Sequence, residues 1–229
     1  METIKDLGSL FLHYIANLYA AEKQINDAMP AVIKRAKHQS LKNALQHHQT
    51  ISKDHLSRLE IIPGMLKEKE RGTGNPGSDV KSVSKAMQGL LEEATELLNA
   101  GIDDSVIDAA IIGCVQKIEH YEICTYGTAL AYATQLQLKK AAALLEETLN
   151  EEYDADDLLT SLATAALNKE ALTEGQKAGT VEPVHKDNEE DAHLRKATQV
   201  SISERTIQSP GGRAGTSHRR YGSGESRGH

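Results

Sequence analysis

The stretch that decides the fold is residues 109–127, with the sequence AAIIGCVQKIEHYEICTYG. It is apolar enough to predict a core helix, and one stripe of that helix carries, in order, Val115, Glu119, Glu122 and Tyr126. Two carboxylates therefore lie on a face where aliphatic side chains belong. Two buried acids one turn apart repel each other unless hydrogen bonds or a positive charge offset the cost. The stretch predicts either a metal site or a buried polar network.

The composition is typical of an all-α protein. The chain has 229 residues with no Trp and one Phe, and Ala, Leu, Glu and Lys are abundant. Its formal charge of −7 gives no general attraction to nucleic acid. No apolar run approaches the roughly 20 residues that span a bilayer, and the first residues lack the basic and apolar regions of a signal peptide. We expect a cytoplasmic protein with no membrane segment.

Both cysteines, Cys114 and Cys124, fall in the apolar helix. Their spacing of ten residues corresponds to roughly 15 Å along a helix axis. A disulfide between them within one chain is excluded at that distance. We expect both to be reduced core residues.

Helical periodicity predicts five helices, at about residues 3–29, 40–66, 80–99, 103–136 and 139–169. Pro30 is expected to kink or end the first helix, Pro63 and Gly64 to weaken the end of the second, and Gly101 to cap the third. The Gly-rich and Pro-rich residues 71–78 predict a loop that separates two helical hairpins.

The helical pattern stops near residue 170, which predicts two parts of different character. Residues 1–170 contain no segment that alternates with a period of two, so we predict an all-α domain. In residues 171–229 apolar side chains are isolated among Gly, Pro, Ser and charged residues, too few to offset the entropy lost on ordering. We predict a disordered tail. Its end contains five arginines, interpreted as solubilising, with nucleic-acid contact as the alternative.

Each long helix carries polar side chains on its predicted core stripe. In chain order these are Glu22, His48, His55, Glu119, Glu122, Glu152 and Asp156. Any one of them alone is more often an exposed acid or a histidine with ordinary hydrogen bonds. Their joint occurrence on four facing helices is typical of a carboxylate-bridged two-metal site. Carboxylate and imidazole ligands suit iron or manganese, so we predict one or two such ions per subunit.

Several motifs resemble the YciE/YciF family of ferritin-like proteins. They are LYAAEKQ at residues 18–24, DAAII at 108–112, QKIEHYEI at 116–123, YGT at 126–128 and LLEETLNEE at 144–152. The resemblance covers about residues 3–170. It implies a ferritin-like four-helix bundle with an added short helix, a homodimer and an association with stress responses. It also implies a two-metal, ferroxidase-type site.

The family's metal ligands correspond to four acids of this chain. By their positions in the motifs these are Glu22, Glu119, Glu122 and Glu152. Asp156, one turn after the last of them, is a further candidate. Tyr126, one turn from the second acid of the pair, is expected to donate a hydrogen bond to a ligand.

The second helix departs from the family pattern. Family members usually have a His-Leu-x-Glu-Thr-like stretch there, whereas this chain has HQTIS at residues 48–52, with Ile51 where the glutamate is expected. Three alternatives follow. His48 or His55 replaces the lost carboxylate, the site binds one ion rather than two, or redox chemistry has been lost while the fold remains.

Two functions of different classes fit these patterns. The first is metal binding inside the bundle, with oxidation of ferrous iron by dioxygen or peroxide as the candidate reaction. The second is a structural or interaction protein of the stress response, a helical dimer with a vestigial polar core, which Ile51 favours. No phosphate-binding glycine loop, Cys-x-x-Cys pair or serine–histidine–acid arrangement supports another catalytic class. Storage in a ferritin-type shell is not favoured.

Overall fold

The computed structural model describes residues 4–70, 83–172 and 176. All of them belong to the first of two compact units, residues 1–179; the second unit is residues 180–229. The predicted loop at residues 71–78 lies outside the described residues. The predicted disordered tail, with its proposed nucleic-acid contacts, also lies outside them except for residues 171, 172 and 176.

The described residues form helices and no strand. The long helices are α1 (Leu7–Arg35), α2 (Gln39–Glu70), α4 (Ile107–Gln135) and α5 (Lys139–Leu162), with the shorter α3 (Lys85–Asn99) between α2 and α4. α5 continues through a π-helical turn, Ala163–Leu167, into the short α6, Asn168–Glu170. The predicted all-α class is confirmed. None of the helices in the described ranges is long and apolar enough to cross a membrane.

The four long helices close into a bundle. α1 packs on α2 and α4, α5 packs on α4 and α2, and α3 lies against α4 and α1. Towards one end, a cluster of buried apolar side chains includes Ile25, Leu45, Met87, Ile111 and Leu159. Towards the other, the buried residues include Phe11, Ile15, Ile62, Leu130 and Leu145. Along each long helix the buried polar residues fall between these two apolar regions, so the polar side chains form a layer at mid-length.

Pro30 and Pro63 lie inside helices rather than at their ends. α1 continues five residues past Pro30, and α2 continues past Pro63 to residue 70. Pro30 is exposed, so water can solvate the carbonyl group that loses its helix partner there. The residues after each proline are held by packing: Val32 and Ile33 lie against the apolar cluster, and Leu66 is buried. Tertiary contacts therefore outweigh the local preference to stop.

The starts of α1, α3 and α4 differ from expectation, and one helix end agrees with it. α1 begins at Leu7, after the capping residue Asp6. α3 begins after Ser84, whose hydroxyl accepts a hydrogen bond from the Met87 N–H. α4 begins at Ile107, because the Asp103 carboxylate caps a preceding turn through the Ser105 N–H. Gly101 follows α3 with φ 75°, the left-handed conformation expected of a helix-terminating glycine.

Only one of the two cysteines is a core residue. Both are free thiols, as expected, and Cys114 is buried. Cys124 is exposed, so the prediction that it lies in the core is wrong. Because α4 is apolar over most of its surface, its sequence does not show which side faces solvent. The outcome for Cys124 follows from the packing of α4 against its neighbours.

Candidate metal centre

All seven predicted ligands are buried in the polar layer. None is more than 7% exposed, and the set is Glu22, His48, His55, Glu119, Glu122, Glu152 and Asp156. Their sequence spacings of three, four or seven residues within each helix place them on the inner face. The polar stripe predicted from sequence is confirmed on all four long helices.

One group of four side chains forms what we call the four-ligand cluster: His48, Glu119, Glu122 and Glu152. One ligand atom from each lies within 4.8 Å of the others. They come from α2, α4 and α5, so three helices fix their positions. This spacing is short enough for a single ion to contact all four.

The polar atoms of the four-ligand cluster lack hydrogen-bond partners. Among the described residues, eight buried side-chain nitrogen or oxygen atoms are unpartnered, and all but Asn26 Oδ1 belong to this cluster. They are His48 Nε2 and both oxygens of each of the three glutamates. His48 Nε2 lies 3.6 Å from Glu119 Oε1, too far for a hydrogen bond. Folded proteins leave few such atoms unsatisfied, and a cation would satisfy them together.

The burial and close spacing of these acids also raise the pKa values of two of them. Burial, followed by the charges of Glu152 and Glu22, raises the pKa of Glu119 and of Glu122 well above their usual range. Without a cation, these two carboxyl groups lose their protons at a higher pH than an exposed glutamate does. A bound cation favours the ionised carboxylates instead, so ion binding releases protons.

A second group, the three-ligand cluster, consists of Glu22, His55 and Glu152. In contrast to the four-ligand cluster, both carboxylate oxygens of Glu22 accept hydrogen bonds. Glu22 Oε1 accepts from the Tyr126 hydroxyl at 2.6 Å and from His55 Nδ1 at 2.9 Å, and Glu22 Oε2 accepts from the Ser52 hydroxyl. Tyr126 thus donates to Glu22, one of the predicted ligands, and whether Glu22 binds an ion stays a prediction.

His55 supplies a positive charge between these acids. Its Nδ1 lies 3.0 Å from Glu152 Oε1, although its proton is aligned with Glu22, and its Nε2 lies 2.9 Å from Glu151 Oε2. Burial alone lowers the pKa of His55, but the adjoining carboxylates of Glu152 and Glu22 outweigh it and raise the pKa to about 10. His55 is therefore an imidazolium at neutral pH.

Sequence reasoning missed three residues of this network. Ser52, rather than Ile51, is the fully buried residue between the two histidines of α2, with spacings of four and three residues to them. Glu151 accepts from His55 and from Arg58. The helical spacing of Ser52 was a usable signal, whereas Glu151 was indistinguishable from the exposed acids around it.

Two predicted positions lie beside the clusters. Asp156 belongs to neither group. Its carboxylate accepts a hydrogen bond from the Gln116 amide at 3.0 Å and lies 3.5 Å from His120 Nε2. Ile51 is half-buried and lines a cavity that reaches His48 and Glu119. The α2 side of the four-ligand cluster is thus a histidine beside an aliphatic wall.

The pKa shifts predict that the metal-free protein loses stability as pH rises. Glu119 and Glu122 have raised pKa values, so their contribution is present below their ordinary pKa of 4.5 and is lost as pH rises. His55 acts in the same direction between its ordinary 6.5 and about 10. Urea unfolding of metal-free protein between pH 5 and about 9 should show a falling free energy of unfolding. The double variant Glu119→Gln, Glu122→Gln should show a shallower fall; an equal slope would contradict these assignments.

The comparisons with known proteins agree with this architecture. Residues 6–172 match the sequence profile of DUF892, described as a domain of unknown function. The chain belongs to this family. Its relatives include Protein YciF of Escherichia coli (strain K12), 37% identical over 171 residues, which are 75% of this chain and 96% of YciF. The expected YciE/YciF membership is confirmed.

Two solved structures share the fold seen here. The crystal structure of the E. coli stress protein YciF matches with a TM-score of 0.64 and 34% identity over 72% of this chain and 99% of that chain. YcfI from Rhodopseudomonas palustris, described as a candidate structural protein, matches with a TM-score of 0.61 and 32% identity over 70% and 96%. The ferritin-like four-helix bundle with an added short helix is confirmed.

Proposed function

We propose that this protein binds one iron or manganese ion per subunit in the four-ligand cluster, as a ferritin-like protein of the stress response. The observation that carries the proposal is the set of seven buried polar atoms on His48, Glu119, Glu122 and Glu152 that have no aligned hydrogen-bond partner, of which Glu152 Oε1 is in ion-pair contact with His55. The association with stress rests on the relative from E. coli, which is described as a stress protein.

The donor set fits these ions. Three carboxylates and one imidazole suit cations of intermediate hardness, and no thiol is among the donors. His48 would supply nitrogen, and Glu119, Glu122 and Glu152 would supply oxygen. Because the three helices already hold these atoms within 4.8 Å of one another, little rearrangement is needed. A bound iron ion would supply redox chemistry towards dioxygen or peroxide, and oxidation of ferrous iron is the candidate reaction.

The three-ligand cluster supports a stoichiometry of one ion rather than two. Both oxygens of Glu22 already accept hydrogen bonds, and both ring nitrogens of His55 contact carboxylates. The imidazolium provides the positive charge that a second ion would otherwise bring. A second ion would have to displace His55 from Glu22 and Glu152. Tyr126 and Ser52 also hold the Glu22 carboxylate in place through hydrogen bonds.

The test is the metal content of protein purified without chelator. We expect about one equivalent of iron or manganese in the wild type, because the described part of the chain holds one four-ligand cluster. The double variant Glu119→Gln, Glu122→Gln should contain none, and Glu146→Gln, which alters an exposed acid of α5, should match the wild type. Equal metal in wild type and double variant, or none in either, would overturn the proposal.

The second candidate function is a structural or interaction protein without a metal. Two observations favour it: the complete hydrogen bonding of Glu22, and the relative from R. palustris that is described as a candidate structural protein. It predicts no bound ion and no oxidation of added ferrous iron above the buffer rate. The homodimer, the cytoplasmic location and the nucleic-acid contacts of the tail stay predictions.

A further inference from the structure

A cavity of about 180 Å³ adjoins the four-ligand cluster. Its walls come from α2 and α5, and α4 contributes Val115 and Glu119. Exposed side chains, among them His47 and Asp154, line it together with the buried His48 and Glu119. The cavity therefore runs from the surface to two of the four ligands.

Two small residues leave this space open. Ala44 of α2 and Ala155 of α5 are both half-buried and both line the cavity. The remaining apolar lining is aliphatic, from Leu45, Ile51, Val115, Leu158 and Leu159. A glutamate side chain at residue 51 would be a further acid on this wall. Because residue 51 is isoleucine, α2 contributes no acid to the cavity lining. No carboxylate of α2 therefore binds an ion between the surface and the cluster.

The polar lining has one chemical character. It consists of His47, His48, Glu119, Glu151 and Asp154, all of them residue types that bind metal ions. Exposure falls inward, from His47 and Asp154, which are exposed, through half-buried Glu151 to the buried pair. At that inner end, His48 Nε2 and both Glu119 oxygens lack partners. The exposed carboxylate of Asp154 attracts cations to the mouth, and the ligands at the inner end that lack hydrogen-bond partners can bind them.

We propose that this cavity is the path by which a divalent cation enters and leaves the four-ligand cluster. The proposal rests on the proposed function, since it presumes that the cluster binds an ion. Asp154 and His47 meet the hydrated ion at the surface, and His48 and Glu119 receive it. The aliphatic wall offers no ligands, so the ion does not bind there on the way.

The experiment measures rates of ferrous iron binding and release under anaerobic conditions, using metal-free protein and a coloured ferrous chelator in stopped flow. Ala155→Phe narrows the cavity without touching a ligand. It should slow binding and release by the same factor, roughly tenfold, which corresponds to about 1.4 kcal/mol in the barrier. Affinity and stoichiometry should not change. Ala143→Phe, at an exposed alanine of the same helix, is the matched control and should leave both rates unchanged.

Asp154→Asn tests the mouth independently of packing. It removes one exposed negative charge, so binding should slow severalfold at low salt and the difference should fade at high salt. This variant decides the question if Ala155→Phe does not fold.

The outcomes separate the two proposals. A wild type that binds no iron removes the metal site and the path together. A wild type that binds iron, with rates unaffected by Ala155→Phe and by Asp154→Asn, overturns the path alone. If Ala155→Phe slows oxidation by dioxygen and not iron binding, the cavity admits the oxidant, which also overturns the path for cations.

Discussion

Replacing Glu122 with methionine is expected to make the metal-free protein more stable and to abolish metal binding. The Glu122 side chain is fully buried, and neither of its oxygens accepts a hydrogen bond from an N–H or O–H donor; its charged neighbours are other glutamates. An unsatisfied buried polar group costs roughly 1–3 kcal/mol, so removing it should raise the free energy of unfolding by a similar amount. Methionine is of similar length and flexible enough to fill the space. Urea unfolding and metal analysis of the same preparation measure both effects.

A matched control and an opposite outcome define this test. Glu146→Met, at an exposed acid of α5, should change the free energy of unfolding by no more than about 0.5 kcal/mol. A Glu122→Met protein that is less stable than the metal-free wild type would mean that Glu122 belongs to a satisfied polar network. That result would favour the second candidate function, a structural or interaction protein without a metal. Stability and function therefore oppose each other at this residue if the metal site is real.

Replacing His55 with leucine is expected to have the opposite effect. The imidazolium is fully buried and contacts Glu22, Glu152 and Glu151 at 2.9 to 3.0 Å. Removing one partner of a buried ion pair leaves the others uncompensated, which costs about 3–5 kcal/mol. Urea unfolding of metal-free wild type and His55→Leu at pH 7 measures the loss.

His13→Leu, at an exposed histidine of α1, is the control for this change and should be nearly neutral. Added Mn²⁺ should recover part of the stability lost by His55→Leu, because an ion can take over the charge that His55 supplied. A loss of less than 1 kcal/mol in the metal-free variant would contradict the assignment of His55 as the internal cation.

The sequence was sufficient to predict which side chains enter the polar layer. Glu22, Glu119, Glu122 and Glu152 lie on apolar stripes at helical spacing, and the same periodicity defines the bundle that buries them. An acid at a core position among aliphatic residues can be recognised from the sequence pattern alone. The fold class and the ligand candidates depend on this local property.

The division of these side chains into two unequal clusters was not predictable. It depends on the heights at which four helices meet and on side-chain rotamers, neither of which periodicity determines. Ser52 and Ile51 show the difficulty, since adjacent residues on a helix differ by about 100° and a stripe drawn by eye includes either one. Arg58 and Glu151 meet across two helices, so their pairing is a tertiary fact. Helix ends depend on tertiary packing in the same way, because α1 continues past Pro30 to Arg35.

Glu152 is the side chain that the two clusters share. A cation beside His48 and the His55 imidazolium would both draw on the negative charge of this carboxylate, and the two positive charges would repel each other across it. Ion occupancy and the hold on His55 are therefore thermodynamically linked, and each weakens the other by the same factor. A positive charge added at the four-ligand cluster therefore changes the stability of the ion pair between His55 and Glu152.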